Sequence, residues 1–305
     1  MLKYYLDIHT VASKQIFRLL AEYTGDLTEK KFLLYLCSKQ GTKTYKMILE
    51  KKPTLLDILA TFTTCLPPLQ VLLQHLHHLQ PRWYSIANSP ISNPDLIKIL
   101  FNIVEYQHDS KTIKGICSPW LESLVEAKKS LVQVEIPIFP KLNSTFKLDN
   151  PLGKNPLVFI AAGTGIAPIM GFLQHLSLLK ENIKVLFIFG HRYNSLEKND
   201  FLYAETLNQM VKDNVLKLIE CTSQEPNTLG YRHVQDAIRG ESCEIYNLID
   251  KENATVFVCG SPAMSKNVNS ALSDVWSKHS DLDQIQILEH LKGLTDNHRI
   301  KRDLW

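Results

Sequence analysis

Two glycines around a threonine, Gly163-Thr164-Gly165, close a short apolar run from Leu157 to Ala161 and open a segment carrying Pro168. The run has the length and unbroken apolar character of a strand buried on both faces. Beyond the glycines, Ile169, Phe172, Leu173 and Leu176 fall at helical spacing, and Pro168 sits where the first turn of a helix tolerates a residue with no N–H. Strand, glycine turn and helix start bring backbone N–H groups and the positive end of a helix dipole to one point, which suits a pyrophosphate. The glycines, the proline, Gln174 and His175 argue against a lipid-exposed span.

The elements that would position this site alternate. Val185 to Phe189 is a second apolar strand ending at Gly190, Leu216 to Cys221 a third, and Thr255 to Val258 a fourth ending at Cys259-Gly260. Helical patterns separate them near Asp200 to Lys212, Val234 to Arg239, Ser265 to Lys278 and Gln284 to Leu291. Such alternation predicts a doubly wound parallel α/β sheet over 151–305. Ligands of these sheets bind at the carboxyl ends of strands, here Ala162 to Thr164, Gly190 to Arg192, Thr222-Ser223 and Cys259 to Ser261, which are expected to converge.

The first 150 residues read differently. From about 12 to 80 the pattern is helical, with stripes of Ile16, Leu19, Leu20 and Tyr23, of Leu55, Leu56, Leu59 and Phe62, and of Leu69, Leu72, Leu73 and Leu76 after Pro67-Pro68. Leu2 to Ile8 is a possible strand. Arg82 to Ala87, Ile97 to Tyr106 and Leu131 to Phe139 have strand composition, and between them Gly115 to Leu124 reads as a turn entering a helix capped by Ser118-Pro119. The polar, turn-rich Asn143 to Asn155 marks the expected domain boundary.

The chain has 305 residues, 45% hydrophobic and 21% charged, a soluble globular composition with room for two cores. A net charge of +3 from scattered residues gives no argument for nucleic acid. The six cysteines, at 37, 65, 117, 221, 243 and 259, form no CxxC pair and no metal-ligand spacing, so no metal is expected and reduced thiols are. The first twenty residues interleave Lys3, Asp7, His9, Lys14 and Arg18 with apolar residues and do not resemble a signal peptide, so a cytoplasmic chain without a membrane segment is expected.

Six stretches in order, RWYSIANS (82–89), KGICSPWL (114–121), FIAAGTGIAPIMGFLQ (159–174), FIFGHR (187–192), VFVCG (256–260) and RDLW (302–305), resemble the FAD- and NADP-binding half of the diflavin reductases, a ferredoxin-NADP reductase-like unit. The resemblance implies an FAD domain over 1–150, a partial antiparallel β-barrel interrupted by a helical connecting segment, N-terminally incomplete relative to the family. It also implies an NADP(H) domain over 151–305, and an FMN on a flavodoxin-like partner domain absent from this chain. LCSKQG (36–41), LQPRWYS (79–85), FNIVE (101–105) and FPKLNSTFKL (139–148) are most similar to the members that serve methionine synthase. That enzyme is therefore the expected electron acceptor, with methionine biosynthesis as the setting and a cytochrome P450 as the alternative acceptor.

Carried over residue by residue, the resemblance implies that Arg82, Trp83, Tyr84 and Ser85 and the stretch Gly115, Ile116, Cys117 and Ser118 hold FAD. A guanidinium suits its pyrophosphate and an aromatic ring its isoalloxazine. Gly163, Thr164, Gly165 and Arg192 would hold the NADPH pyrophosphate. Thr222, Ser223, Arg232 and Gln235 align with the 2′-phosphate site. The family's first arginine there is missing, which implies weaker discrimination against NADH. Ser85, Cys259 and Asp303 match the hydride-transfer set, and Trp305 the terminal aromatic that covers the isoalloxazine. After Cys259-Gly260 this chain has Ser261-Pro262 where the family usually carries an Asp and one more residue.

Overall fold

The computed structural model describes residues 6–8, 13–51, 53–108, 111–129, 133–149, 153–179, 183–193 and 200–305. It divides into two compact units, one of Met1–Arg82 and Val104–Pro119, the other of Trp83–Ile103 and Trp120–Trp305.

Among the described residues, the first unit is built on five helices: α1 (Lys14–Glu22), α2 (Leu27–Cys37), α3 (Thr42–Glu50), α4 (Leu55–Thr61) and α5 (Leu69–His75). Their starts are written in the sequence. The Ser13 hydroxyl accepts from Ile16 N, Asp26 from Thr28 and Glu29 N, and Thr54 and Asp57 form a reciprocal capping box. The core joins Ile16, Phe17, Leu20, Leu33, Leu36, Leu55 and Ile58. Leu56, Leu69 and Leu73, expected on helical stripes, are exposed, because α4 and α5 are only two turns long: α4 buries Leu55 and Ile58, and α5 has only Leu72, partly buried, packed on this core. A hairpin of β1 (Glu105–His108) and β2 (Lys111–Lys114) follows, then α6 (Cys117–Lys129).

The expected strands of the FAD domain are reduced to single contacts. Ile86 and Ile99 form one antiparallel bridge, residues 133–139 form no strand, and Leu131 and Val132 lie outside the described residues. Of Leu2 to Ile8, only residues 6–8 are described, with Leu6 bridging His78. Around 86–99 the reason is the Asn88 side chain. Its Oδ1 accepts from Lys98 N at 2.7 Å and its Nδ2 donates to Leu96 O at 2.9 Å, taking positions that a ladder would give to backbone. Thus of the partial antiparallel barrel, the described residues show one hairpin and isolated bridges. The helix expected to start at Ser118-Pro119 starts at Cys117, and Ser118 accepts from Val104 N at 2.9 Å.

The second unit is the doubly wound sheet. Strands β3 (Leu157–Ala162), β4 (Val185–His191), β5 (Lys217–Thr222), β6 (Thr255–Gly260) and β7 (Ile300–Leu304) lie parallel in the order β5-β4-β3-β6-β7. β4 and β6 are buried at every position and β3 at all but its last, as their unbroken apolar sequences require. Helices α7 (Ile166–Leu179) and α8 (Ala204–Lys212) cover one face around Phe159, Phe187, Phe189 and Phe257. On the other face α9 (Val234–Gly240), α10 (Ser242–Tyr246), α11 (Pro262–His279) and α12 (Gln284–Asp296) pack around Val258 and Trp276. Each fully buried aromatic contributes on the order of 2 kcal/mol. The terminal stretch, expected only as a motif, is the edge strand β7. Among the described residues no helix is long and apolar enough to cross a membrane.

Candidate functional site

The strand ends converge. Ala162 is in register with Gly190, Cys259 with Asp303, and Ser223 N donates to His191 O at 3.1 Å. Gly163-Thr164-Gly165 form a 3-10 turn between β3 and α7. Gly163 has φ +54°, a left-handed conformation that glycine adopts without strain, and a Cβ there would meet nothing within 4 Å. A Cβ on Gly165 would stand 2.3 Å from Cys259 O, so only glycine lets the turn pack on β6. The turn is therefore open on one side, at Gly163, and tightly fitted on the other, at Gly165, which leaves room for a bound pyrophosphate.

Three of the sequence-derived residues meet at the β6–β7 edge. The Ser85 hydroxyl donates to Asp303 Oδ2 at 2.7 Å, across more than two hundred residues of chain. Asp303 lies beside Cys259 in the parallel register, and Cys259 is fully buried. Burial first, and the nearby Asp303 carboxylate second, push the Cys259 thiol far above the usual thiol range, so it is held as a neutral thiol. Trp305 N donates to Gly260 O, while its indole remains half exposed. Ser261 accepts from Met264 N and Pro262 occupies the first turn of α11, so the pair that departs from the family pattern starts this helix.

At the β4–β5 edge, Arg192 is exposed and bound to Asp200 through its backbone N, Nε and Nη2, the last at 3.0 Å. Burial raises the Asp200 carboxyl, but the side-chain and backbone bonds from Arg192 outweigh it, leaving the group below the usual range. The Thr222 hydroxyl donates to Glu225 O at 2.7 Å and accepts from Asn227 Nδ2 at 2.8 Å, so this buried side chain braces its loop. Ser223 and Arg232 are brought together, Arg232 Nη2 donating to Ser223 O at 2.9 Å. Gln235 lies in the first turn of α9.

Of the residues matched to a flavin site, Trp83 and Tyr84 belong to the sheet unit. Trp83 meets Phe139 edge-on, with Lys141 Nζ 4.7 Å from its ring centre, and Tyr84 meets Phe101 edge-on. In the helical unit, Arg82 donates to Gln80 O and Gly115 N to Val104 O at 2.7 Å. Ile116 and Cys117 are half-buried and Ser118 is buried. Sequence reading did not single out Asp200, His191 or Asn88, whose side chains meet partners eight or more residues away or on another strand. A cavity of about 530 Å³ opens at the opposite, amino ends of the sheet, beside Lys184, Glu252 and Lys278, away from all these residues.

Comparison with known proteins matches the family model "FAD binding domain" to residues 1–120 and "Oxidoreductase NAD-binding domain" to residues 159–270. Methionine synthase reductase of Rattus norvegicus is 34% identical over 98% of this chain and 46% of that protein, and that of Homo sapiens 32% over 98% and 46%. NADPH–cytochrome P450 reductase of Rattus norvegicus is 29% identical over 100% of this chain and 45% of that protein. The chain thus spans about half the length of these relatives.

Proposed function

Because the chain belongs to the diflavin reductase family and carries its FAD- and NADPH-binding domains, we propose that it is the hydride-receiving half of a methionine synthase reductase. NADPH supplies a hydride and FAD accepts it when both are bound. The protein's part is to hold the two and to stabilise charge where they meet. The observation that carries the reading is the meeting of Ser85, Asp303 and Cys259 at the carboxyl edge of the sheet, linked by a 2.7 Å hydrogen bond and a strand register.

Asp303 places a carboxylate where positive charge grows on nicotinamide, which stabilises the transition state more than the neutral ground state. Ser85 fixes that carboxylate and keeps an oxygen free to accept. Cys259 shapes the pocket as a neutral thiol, and Trp305 would offer its indole to the flavin ring. Gly163 to Gly165 cradle the pyrophosphate with Arg192 beside them, and Ser223, Arg232 and Gln235 hold the 2′-phosphate with Thr222 as the brace behind. Arg82, Trp83, Tyr84 and Gly115 to Ser118 serve the flavin. The domain boundary falls near 150, electrons pass to a flavodoxin-like FMN domain and on to methionine synthase, and the setting is the cytoplasm. A P450 reductase-type acceptor is the alternative.

The test is flavin content followed by anaerobic mixing with NADPH. Bound FAD that bleaches on mixing supports the reading, and bound FAD that stays oxidised refutes it. The hairpin and isolated bridges of the FAD domain favour one second reading, a nucleotide-binding module without flavin chemistry. Colourless protein that retains 2′,5′-ADP would select it.

A further inference from the structure

His191, the last residue of β4, is used by none of the chemistry above, yet its surroundings are unusual. Its side chain is fully buried, lying flat on Phe201 with ring centres 4.5 Å apart and against Phe189 at 5.4 Å. Nδ1 lies 3.1 Å from the Tyr193 carbonyl, which can only accept, so Nδ1 carries the hydrogen and Nε2 of the neutral ring is a bare lone pair. Among the described residues Nε2 has no hydrogen-bond partner, and what faces it, at 3.9 Å, is Glu220 Oε2 on β5. A lone pair and a carboxylate are both acceptors and repel. One proton placed between them turns the repulsion into a charge-assisted hydrogen bond.

The backbone around this ring carries residues assigned above to the nucleotide. Ser223 N donates to His191 O, Gln224 N donates to Arg192 O, and Arg192 is the next residue. The other titratable or charged groups nearby are Tyr193 and Asp200 on the loop after β4, Tyr203 at the start of α8, and Cys221 on β5. Asp200 is committed to Arg192, and burial pushes the Cys221 thiol up to about 12.

We propose that His191 is a positioning residue for the anionic end of NADPH, and that uptake of one proton by the His191–Glu220 pair tightens nucleotide binding as pH falls. The inference rests on the assignment of Arg192, Ser223 and Arg232 to the nucleotide. The unprotonated pair holds one negative charge at the ends of β4 and β5, next in sequence to Arg192 and close to Ser223, and the proton removes it while drawing Glu220 onto the ring.

The experiment measures 2′,5′-ADP binding to the full chain from about pH 8 to pH 6, in the parent, Glu220→Gln and His191→Phe, with the ring nitrogens followed by ¹⁵N-histidine NMR. Because ligand ionisation is common to all three, the parent should gain about 3- to 10-fold in affinity relative to both variants as pH falls, the scale of one partly screened charge. Glu220→Gln, whose amide can donate to the neutral ring, should bind like the protonated parent at both pH values. Equal pH slopes in all three proteins, or an Nε2 signal that does not titrate in the parent, would overturn the proposal. Binding that persists in Arg232→Ala would instead sink the assignment it rests on, leaving the NMR arm to judge the His191–Glu220 pair alone.

Discussion

At the scale of single residues, the side chains at the sheet's carboxyl edge differ in what environment does to them. Asp303 is held by Ser85 as a hydrogen-bond acceptor, so its charge is oriented before any substrate arrives. Asp303→Asn should slow flavin reduction by NADPH roughly 10- to 1,000-fold, with NADPH affinity little changed, because the contact gains its value as charge develops. Stopped-flow absorbance under anaerobic conditions reads the step, and an unchanged rate at normal flavin content would remove Asp303 from the mechanism. Cys259 sits beside that carboxylate in a dry site, and both influences keep its proton on. Exposed Cys243 should therefore be alkylated at about pH 9 while Cys259 and Cys221 resist until the protein is unfolded. Mass spectrometry of the labelled peptides decides this. Trp305, half exposed and tied through its backbone to Gly260, should shift preference toward NADH when changed to Ala. The 2′-phosphate contacts are then no longer needed to displace an indole, and equal NADPH-to-NADH ratios in parent and variant would refute the stacking role.

At the scale of elements, legibility followed periodicity and burial. β3, β4 and β6 were readable because a strand buried on both faces has no polar residue to confuse the pattern. The first helix after them was readable from its stripe and from Pro168 at its start, and the others as helical segments between strands. β7 was not, because Lys301 and Arg302 look like solvent residues. In the structure Lys301 is buried with its ammonium on Lys147 O and Asp149, and Arg302 reaches Thr295 and Asn269. The strands expected at 82–87 and 97–106 shrank because composition reports fitness for a pleated surface, whereas a ladder needs free backbone partners, and Asn88 occupies them. Of the candidate site, the convergence of the strand ends was legible, and the partners found there, Asp200 on Arg192 and Glu220 facing His191, were not, since pairing across a loop or between strands leaves no spacing signal. Asp200 illustrates the consequence for stability. Its carboxyl titrates below the usual range, so its contribution is present above the unfolded-state value of about 3.9 and is lost as pH falls through the folded value. Asp200→Asn should destabilise by about 1 kcal/mol near neutrality, after screening of the exposed guanidinium, with the gap closing below about pH 4. Urea melts of parent and variant across that window check the sign, and a gap that widens in acid would contradict it.

At the scale of the molecule, the chain corresponds to half the length of its reductase relatives, and its two matched domains account for cofactors that exchange a hydride, which carries two electrons at once. An acceptor such as a cobalamin takes electrons singly, and one buried in a large partner that the flavin does not reach needs a carrier between them. In the proposed function that carrier is an FMN domain. With FAD bound and NADPH supplied, the chain should reduce ferricyanide, a small acceptor able to reach an exposed flavin, at a rate proportional to its FAD content. The same preparation should leave methionine synthase unactivated until a flavodoxin-like FMN domain is added, and activation should then rise with the concentration of that domain until it saturates. Removing Asp303 should lower both reactions in the same proportion, because the hydride step precedes them both. Reactivation of methionine synthase without the added domain would show that electrons leave this chain directly, and ferricyanide reduction untouched by Asp303→Asn would show that they do not enter through the β6–β7 edge.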